Sequence, residues 1–318
     1  MNNLIKRITI PICGLSLGLA ALGNLLQSYS EGLRYICGIA SGILMVLFLI
    51  KVVMFPKMIS EDFKNPIMAS VFATFPMALM LLSVYVKPWL GASSRYLYIS
   101  AILIHIGLII YFTGSFLIKL QLPKVFASYF IVYVGIAAAS VTAPAHGMLW
   151  IGKAAFWFSF AALLALLVLI TIRYVKLSAV PEPARPLICI YAAPVSLCIV
   201  GYMQSIMPKS LGLIAVMYVF SLIFYIFALG KAISYISLPF YPSFASFTFP
   251  FVISALASKQ VMAFTANTGK GLPILKYIVL AQTIIAAAAV LYTFCRYMIF
   301  IFKSPKVKSE QVITPVKA

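Results

Sequence analysis

Leu149-Trp-Ile-Gly-Lys-Ala-Ala-Phe-Trp-Phe-Ser-Phe-Ala-Ala-Leu-Leu-Ala-Leu-Leu-Val-Leu-Ile-Thr-Ile172 decides the fold class. A helix needs about 20 apolar residues to cross a hydrocarbon layer of about 30 Å. This run meets that length with one charge, Lys153, near its start. No face of it is polar, so a helix formed here must be buried on all sides or face lipid. A barrel strand would alternate apolar and polar over about 10 residues, and this stretch does not alternate.

Nine more stretches read the same way, at 8–27, 33–50, 66–86, 96–118, 125–143, 187–204, 211–230, 243–262 and 277–300. Polar breaks separate them, among them Gln27 to Gly32, Lys57 to Asn65, Lys87 to Arg95, Lys176 to Arg185 and Thr265 to Gly271. Of the 318 residues, 64% are hydrophobic and 9% charged, against about 25% charged in a soluble domain. The expectation is an all-α integral membrane protein. Residues 1–302 form one ten-helix domain, and 303–318 a basic cytoplasmic tail. Lys6 and Arg7 precede the first run as they would in a signal peptide, but with nine spans behind it that run reads as a retained helix.

Composition argues against an enzyme. The acidic residues are Glu31, Glu61, Asp62, Glu182 and Glu310, all between or beyond the apolar runs, and there are 2 histidines. General acid–base catalysis and metal ligation draw mostly on such groups. A proton-driven transporter usually carries a carboxylate or histidine relay within its spans, and no carboxylate is available for one. No cofactor, metal or nucleic-acid partner is expected. Cys13, Cys37, Cys189, Cys198 and Cys295 stand singly and read as small buried hydrophobes.

Basic residues set the orientation. With the N-terminus cytoplasmic, the inner segments hold Lys6, Arg7, Lys51, Lys57, Lys64, Lys119, Lys124, Arg173, Lys176, Arg185, Lys231, Arg296, Lys303, Lys306, Lys308 and Lys317. The outer segments hold only Arg34, Lys87, Arg95, Lys153, Lys209, Lys259, Lys270 and Lys276. The positive-inside rule then places both termini in the cytoplasm, at the cell inner membrane. The same bias supplies much of the net charge of +19, and attraction of anions is a secondary consequence.

Proline separates the stretches into two sets. Pro11, Pro76, Pro194 and Pro250 fall in the first, third, seventh and ninth runs, Pro123 and Pro144 flank the fifth, and the even runs have no interior proline. A proline removes a backbone hydrogen bond and bends a helix. The freed carbonyl is tolerated in lipid only beside a neighbour or a water-filled cavity. Kinked odd helices are therefore expected inside and smooth even helices outside. That suggests five helical hairpins around a pseudo-fivefold central pore, and the bland alternative is an ordinary bundle kinked by its prolines.

Four motifs resemble one family. Ile10-Pro-Ile-Cys-Gly-Leu-Ser-Leu-Gly-Leu-Ala-Ala-Leu22, Phe75-Pro-Met77, Ala193-Pro-Val-Ser-Leu-Cys-Ile-Val-Gly-Tyr202 and Ser246-Phe-Thr-Phe-Pro250 occur in order. Together they resemble the tellurite-resistance/dicarboxylate transporter family, to which the plant guard-cell slow anion channels belong. The resemblance implies inner odd helices, a homotrimer, and passage of small inorganic or carboxylate anions across the bilayer. It implies that Phe249 plugs the pore and that Gly14 and Leu17 line it. Phe75, Pro76, Gly135, Pro194, Ser246 and Pro250 complete the expected lining. The long regulatory tails of the plant channels are not found in this sequence. Read without the family, Phe249 is a core aromatic beside a proline.

Ser16, Ser140, Thr142, Ser196, Ser246 and Thr248 are hydroxyls on odd helices that could donate weakly to an anion or bond between helices. His105, on an even helix, reads as a hydrogen-bonded interface residue, His146 as a solvated loop residue, and Lys153 as snorkelling to the interface. The functional expectation is an anion channel or channel-like transporter gated by a phenylalanine. The alternative is a secondary carrier or exporter of C4-dicarboxylates, sulfite or tellurite-related anions, which a basic residue on an odd helix would mark.

Overall fold

The structure is a computed structural model describing residues 2–177 and 179–302. The expected basic tail at 303–318 lies outside the described residues. Every described element is a helix. The ten principal ones are α1 (Ile12–Leu26), α2 (Glu31–Met54), α3 (Thr74–Leu90), α4 (Ser94–Phe112), α5 (Ala137–His146), α6 (Leu149–Lys176), α7 (Ala193–Ser205), α8 (Leu211–Tyr235), α9 (Phe249–Asn267) and α10 (Ile274–Phe302). Among the described residues, 8 helical stretches are long and apolar enough to cross a membrane. One of them, Pro66–Leu117, contains both α3 and α4, and α1 is a shorter apolar helix.

Pro11, Pro194 and Pro250 stand at breaks in the odd segments rather than at kinks, whereas Pro88 and Pro144 lie inside α3 and α5. Pro194 and Pro250 lie in the first turns of α7 and α9, and Pro11 is the residue before α1. At that position the missing N–H is one that no helix would use, so the cost of an interior proline does not arise. A short turn precedes each break: 3₁₀ segments at Glu182–Ala192 and Pro242–Phe247, and single helical turns at Pro66–Val71 and Tyr129–Tyr133. The even helices α2, α6, α8 and α10 run unbroken for 24 to 29 residues.

Burial follows the same alternation. In the most apolar windows of α2, α6, α8 and α10, 33% of residues are buried, against 78%, 89% and 67% for the segments ending in α5, α7 and α9. In α10 the buried residues Leu275, Val279, Gln282, Ala286, Val290, Thr293, Tyr297 and Ile301 step by three and four, with Thr283 beside Gln282, which is one helical face. The opposite face exposes Ile284 and Leu291, side chains suited to lipid. Each odd helix packs on the even helix that follows it. In addition α1 packs on α3 and α9, α3 on α5, α5 on α7, and α7 on α9.

The first and last described segments meet. Arg7 Nη1 donates to the Ile301 carbonyl at 3.2 Å, and buried Lys51 Nζ, near the end of α2, donates to the carbonyls of Lys6 (2.9 Å) and Ile8. The segment before α1 therefore lies beside the last turns of α2 and α10. Arg173 is also buried, capping the end of α6 by donating to Leu177 and Ala179 and lying over the Phe126 and Tyr174 rings.

Several single-residue expectations change. His146 is not a solvated loop residue. It ends α5, is buried, shares a 2.8 Å hydrogen bond with Ser83 and stacks on Tyr98. His105 is fully buried and donates from Nε2 to the Val132 carbonyl at 2.8 Å, holding α4 to the turn before α5. Cys13, Cys189 and Cys198 are buried as expected of small hydrophobes, but Cys295 is exposed on α10.

Candidate functional site

Two cavities lie among the odd helices. The larger, of about 1220 Å³, is at the end where Arg7 meets Ile301, and the smaller has about 290 Å³. α1, α3, α7 and α9, with the turn before α9, contribute to both through steps of three and four residues, whereas α5 lines the smaller one and the turn before it lines the larger. Along α1 the series is Gly14 and Leu17, then Ala21 and Asn24; along α3 it is Thr74 and Met77, then Leu81 and Val84. Along α7 it is Pro194 and Leu197, then Val200 and Gln204; along α9 and the turn before it, Ser246 and Phe249, then Ile253, Leu256 and Gln260. Such spacing marks one face of each helix. Leu197 and Phe249 alone line both cavities.

Gly14, Leu17, Gly135, Pro194, Ser246, Phe249 and Pro250 all line the larger cavity. Phe75 and Pro76 line neither. The Phe75 ring stacks on Phe72 at 5.4 Å and lies 5.6 Å from Phe48 of α2, and Thr74 and Met77 of the same turn face the cavity instead. One residue around a helix is about 100°, enough to turn a side chain from the cavity to the packing between helices.

The break before α9 fixes Phe249. Thr248 has φ −97° and ψ −89°, and its hydroxyl donates to Ala245 (2.7 Å) and Gly14 (3.2 Å). The preceding turn is tied to the segment before α7. Tyr241 donates to Glu182 at 2.6 Å, Ser243 to the Pro183 carbonyl at 2.5 Å and Ser246 to the Pro186 carbonyl at 2.6 Å. On the other side Gly18 of α1 lets the backbone approach, for a Cβ there would sit 2.5 Å from Thr248 and 3.0 Å from the Phe249 nitrogen. The neighbouring rings are paired, Phe247 with Phe244 at 4.9 Å and Phe251 with Tyr225 at 5.6 Å. Among the described residues Phe249 has no such aromatic partner, which separates it from an ordinary core ring.

Most of the odd-helix hydroxyls are committed elsewhere. Ser16 bonds to Ser41, Ser140 to the Gly152 carbonyl, Thr142 to Ala138, and Ser196 to Ala192 and Ser221. With Ser246 and Thr248 similarly engaged, their protons hold helices rather than an anion.

The charges at the wide end come from outside the odd helices. Lys6, Arg7, Lys51 and Arg296 line the larger cavity with a single carboxylate, Asp62. Burial raises the Asp62 pKa above the ordinary carboxylate value, and the Lys51 charge partly opposes that rise. Sequence reasoning sought basic residues on odd helices and so missed this cluster. Lys51 reaches the cavity from the last turn of α2 and Arg296 from the turn before the last of α10, and only their shared assignment to the inner segments hinted at it.

The chain matches the voltage-dependent anion channel (SLAC1) family over residues 7–298. It belongs to that family. The family is one of channels and transporters, and this SLAC1-family protein is a multi-pass membrane protein that passes anions. The motifs read from the sequence fall within the matched region. No curated protein matches the chain.

Proposed function

We propose that this SLAC1-family protein is an anion channel or channel-like transporter. In this reading ten helices, paired as five hairpins, surround a central pathway closed by Phe249. The observation that carries it is the pair of cavities, lined by all five odd segments, with α1, α3, α7 and α9 turning one face to both, and sharing only Leu197 and Phe249. Packing of α1 on both α3 and α9 supports closure of the odd helices about an axis. The meeting of Arg7 with Ile301 supports an even number of crossings between them. With the basic bias, it supports cytoplasmic termini at the inner membrane. The homotrimer is carried by the family resemblance.

Function then follows from two zones. The four cations at the wide end raise the local anion concentration. The apolar constriction at Leu197 and Phe249 holds no fixed charge, so an anion crosses it at the cost of shedding water. The test is efflux of chloride, nitrate, malate and sulfite from liposomes holding the purified protein, with the detergent-solubilised particle expected at the mass of three chains. Uncoupled, electrogenic flux of monovalent anions is the expected result. Strict one-for-one exchange of malate or sulfite would favour the carrier reading, for which the cationic mouth of the larger cavity is the supporting observation.

The mouth should also respond to protons. Ionised Asp62 cancels one of the charges of Lys6, Arg7, Lys51 and Arg296. Because burial raises its pKa, it takes up a proton at a higher pH than an exposed carboxylate. Acidifying the side of the termini should therefore increase anion flux, and Asp62→Asn should give the higher flux at neutral pH with a flattened pH profile. Matching profiles for the two proteins would remove Asp62 from this role.

A further inference from the structure

The smaller cavity differs from the larger in its chemistry. Asn24, Gln27, Arg34, Gln204 and Gln260 line it, from α1, α2, α7 and α9, and among the described residues no carboxylate does. We propose that this polar collar, on the far side of Phe249 from Arg7 and Arg296, is an anion site that favours oxyanions over halides. The proposal rests on the reading of the two cavities as one pathway.

Among the odd helices, hydrogen bonding sets the collar apart. Elsewhere on the odd helices the polar side chains are spent on carbonyls or on one another. Arg34 Nε, a donor, is buried with no partner, and among the described residues no hydrogen bond involves the side-chain amides of half-buried Asn24 and Gln260 or of exposed Gln204. An unpaired buried polar group is costly, and a ligand that supplies the missing partners relieves that cost. Gln27 is excluded as a free donor, because its Nε2 donates to Glu31 at 2.8 Å. Arg34, with a side chain 11% exposed, pairs with the same exposed carboxylate at 3.4 Å. The guanidinium therefore supplies charge that is partly offset, which suits weak, reversible occupancy by a permeating ion.

The donor set explains the preference. A side-chain amide offers two N–H donors, and Asn24, Gln204 and Gln260 approach from three separate helices. An oxyanion has acceptor atoms pointing in different directions and can take a donor from each, whereas a halide gains little from direction. The apolar constriction ranks anions by dehydration cost. Nitrate and bromide have similar dehydration costs, so it treats them nearly alike and the collar decides between them.

The experiment is the reversal potential under bi-ionic nitrate and bromide in planar bilayers, with the full chain and with Phe249→Ala in every arm to hold the pathway open. Gln260→Leu should lower the nitrate-to-bromide permeability ratio by about threefold or more, as expected for loss of one hydrogen bond to an anion. Gln204→Leu should shift it in the same direction and serves if Gln260→Leu does not fold. Arg34→Gln should lower the current carried by both ions. Unchanged ratios in folded glutamine variants that still conduct would overturn the collar alone. Absence of anion current in folded Phe249→Ala protein would overturn the pathway itself and the collar with it.

Discussion

Phe249→Ala should raise the anion current per molecule by about tenfold or more, the factor for each 1.4 kcal/mol taken off a barrier. The ring is one of two side chains lining both cavities, so its truncation joins them. What remains of the constriction is Leu197. A binding residue would behave in the opposite way, with flux falling on its loss. A core residue would behave differently again, as Phe247 should. Phe247 is buried against Phe244, and truncating such a ring costs about 3–5 kcal/mol of stability with no gain in current. The comparison is current through purified Phe249→Ala, Phe247→Ala and unaltered protein at matched folded amounts. Unchanged or lower current in assembled Phe249→Ala protein would move the gate elsewhere.

Gly18→Ala should destabilise the protein far more than its single methyl group suggests. The new Cβ would lie 2.5 Å from the Thr248 Cβ and Oγ1 and 3.0 Å from the Phe249 nitrogen. Thr248 cannot yield freely, because its hydroxyl is bonded to Ala245 and Gly14. Either α1 moves out or the break before α9 moves, and overpacking of this kind costs about 1–3 kcal/mol. Gly14 lies one turn earlier on the same helix face, and a Cβ there meets Ala245 Cβ at 3.3 Å, a contact that a small shift relieves. Thermal unfolding in detergent should thus show a clear drop in midpoint for Gly18→Ala and a small one for Gly14→Ala. Equal shifts would mean that the close approach at Thr248 does not constrain the helices.

Much of the larger architecture is legible in the chain itself. Apolar runs such as 149–172 and 277–300 are long enough to need no partner pattern to be read, and α6 (Leu149–Lys176) and α10 (Ile274–Phe302) cover them. The odd and even classes were legible from proline, because a residue without an N–H has few places to stand in a buried helix. What proline does there was not. Pro194 and Pro250 start helices, and whether a proline kinks or begins one depends on the turn packed before it.

Ser246 and Phe249 reach the cavity as the motif implied, while Phe75 does not, and the reason is phase. Length and hydropathy show that a helix exists, but the face it turns inward depends on the residue at which it begins. For α3 that is set by the turn at Pro66–Val71 packing on Tyr129–Tyr133. Lys51 and Arg296 are 245 positions apart in number yet line one cavity, and Asn24, Arg34, Gln204 and Gln260 likewise meet only in three dimensions. The sequence by itself determined that this chain is helical, membrane-spanning and divided into inner and outer helices, because those properties follow from composition along a single run. Which side chains face the cavities, where the cations gather and which amides stay unpaired were decided by tertiary structure alone, because each depends on the rotation of one helix against another.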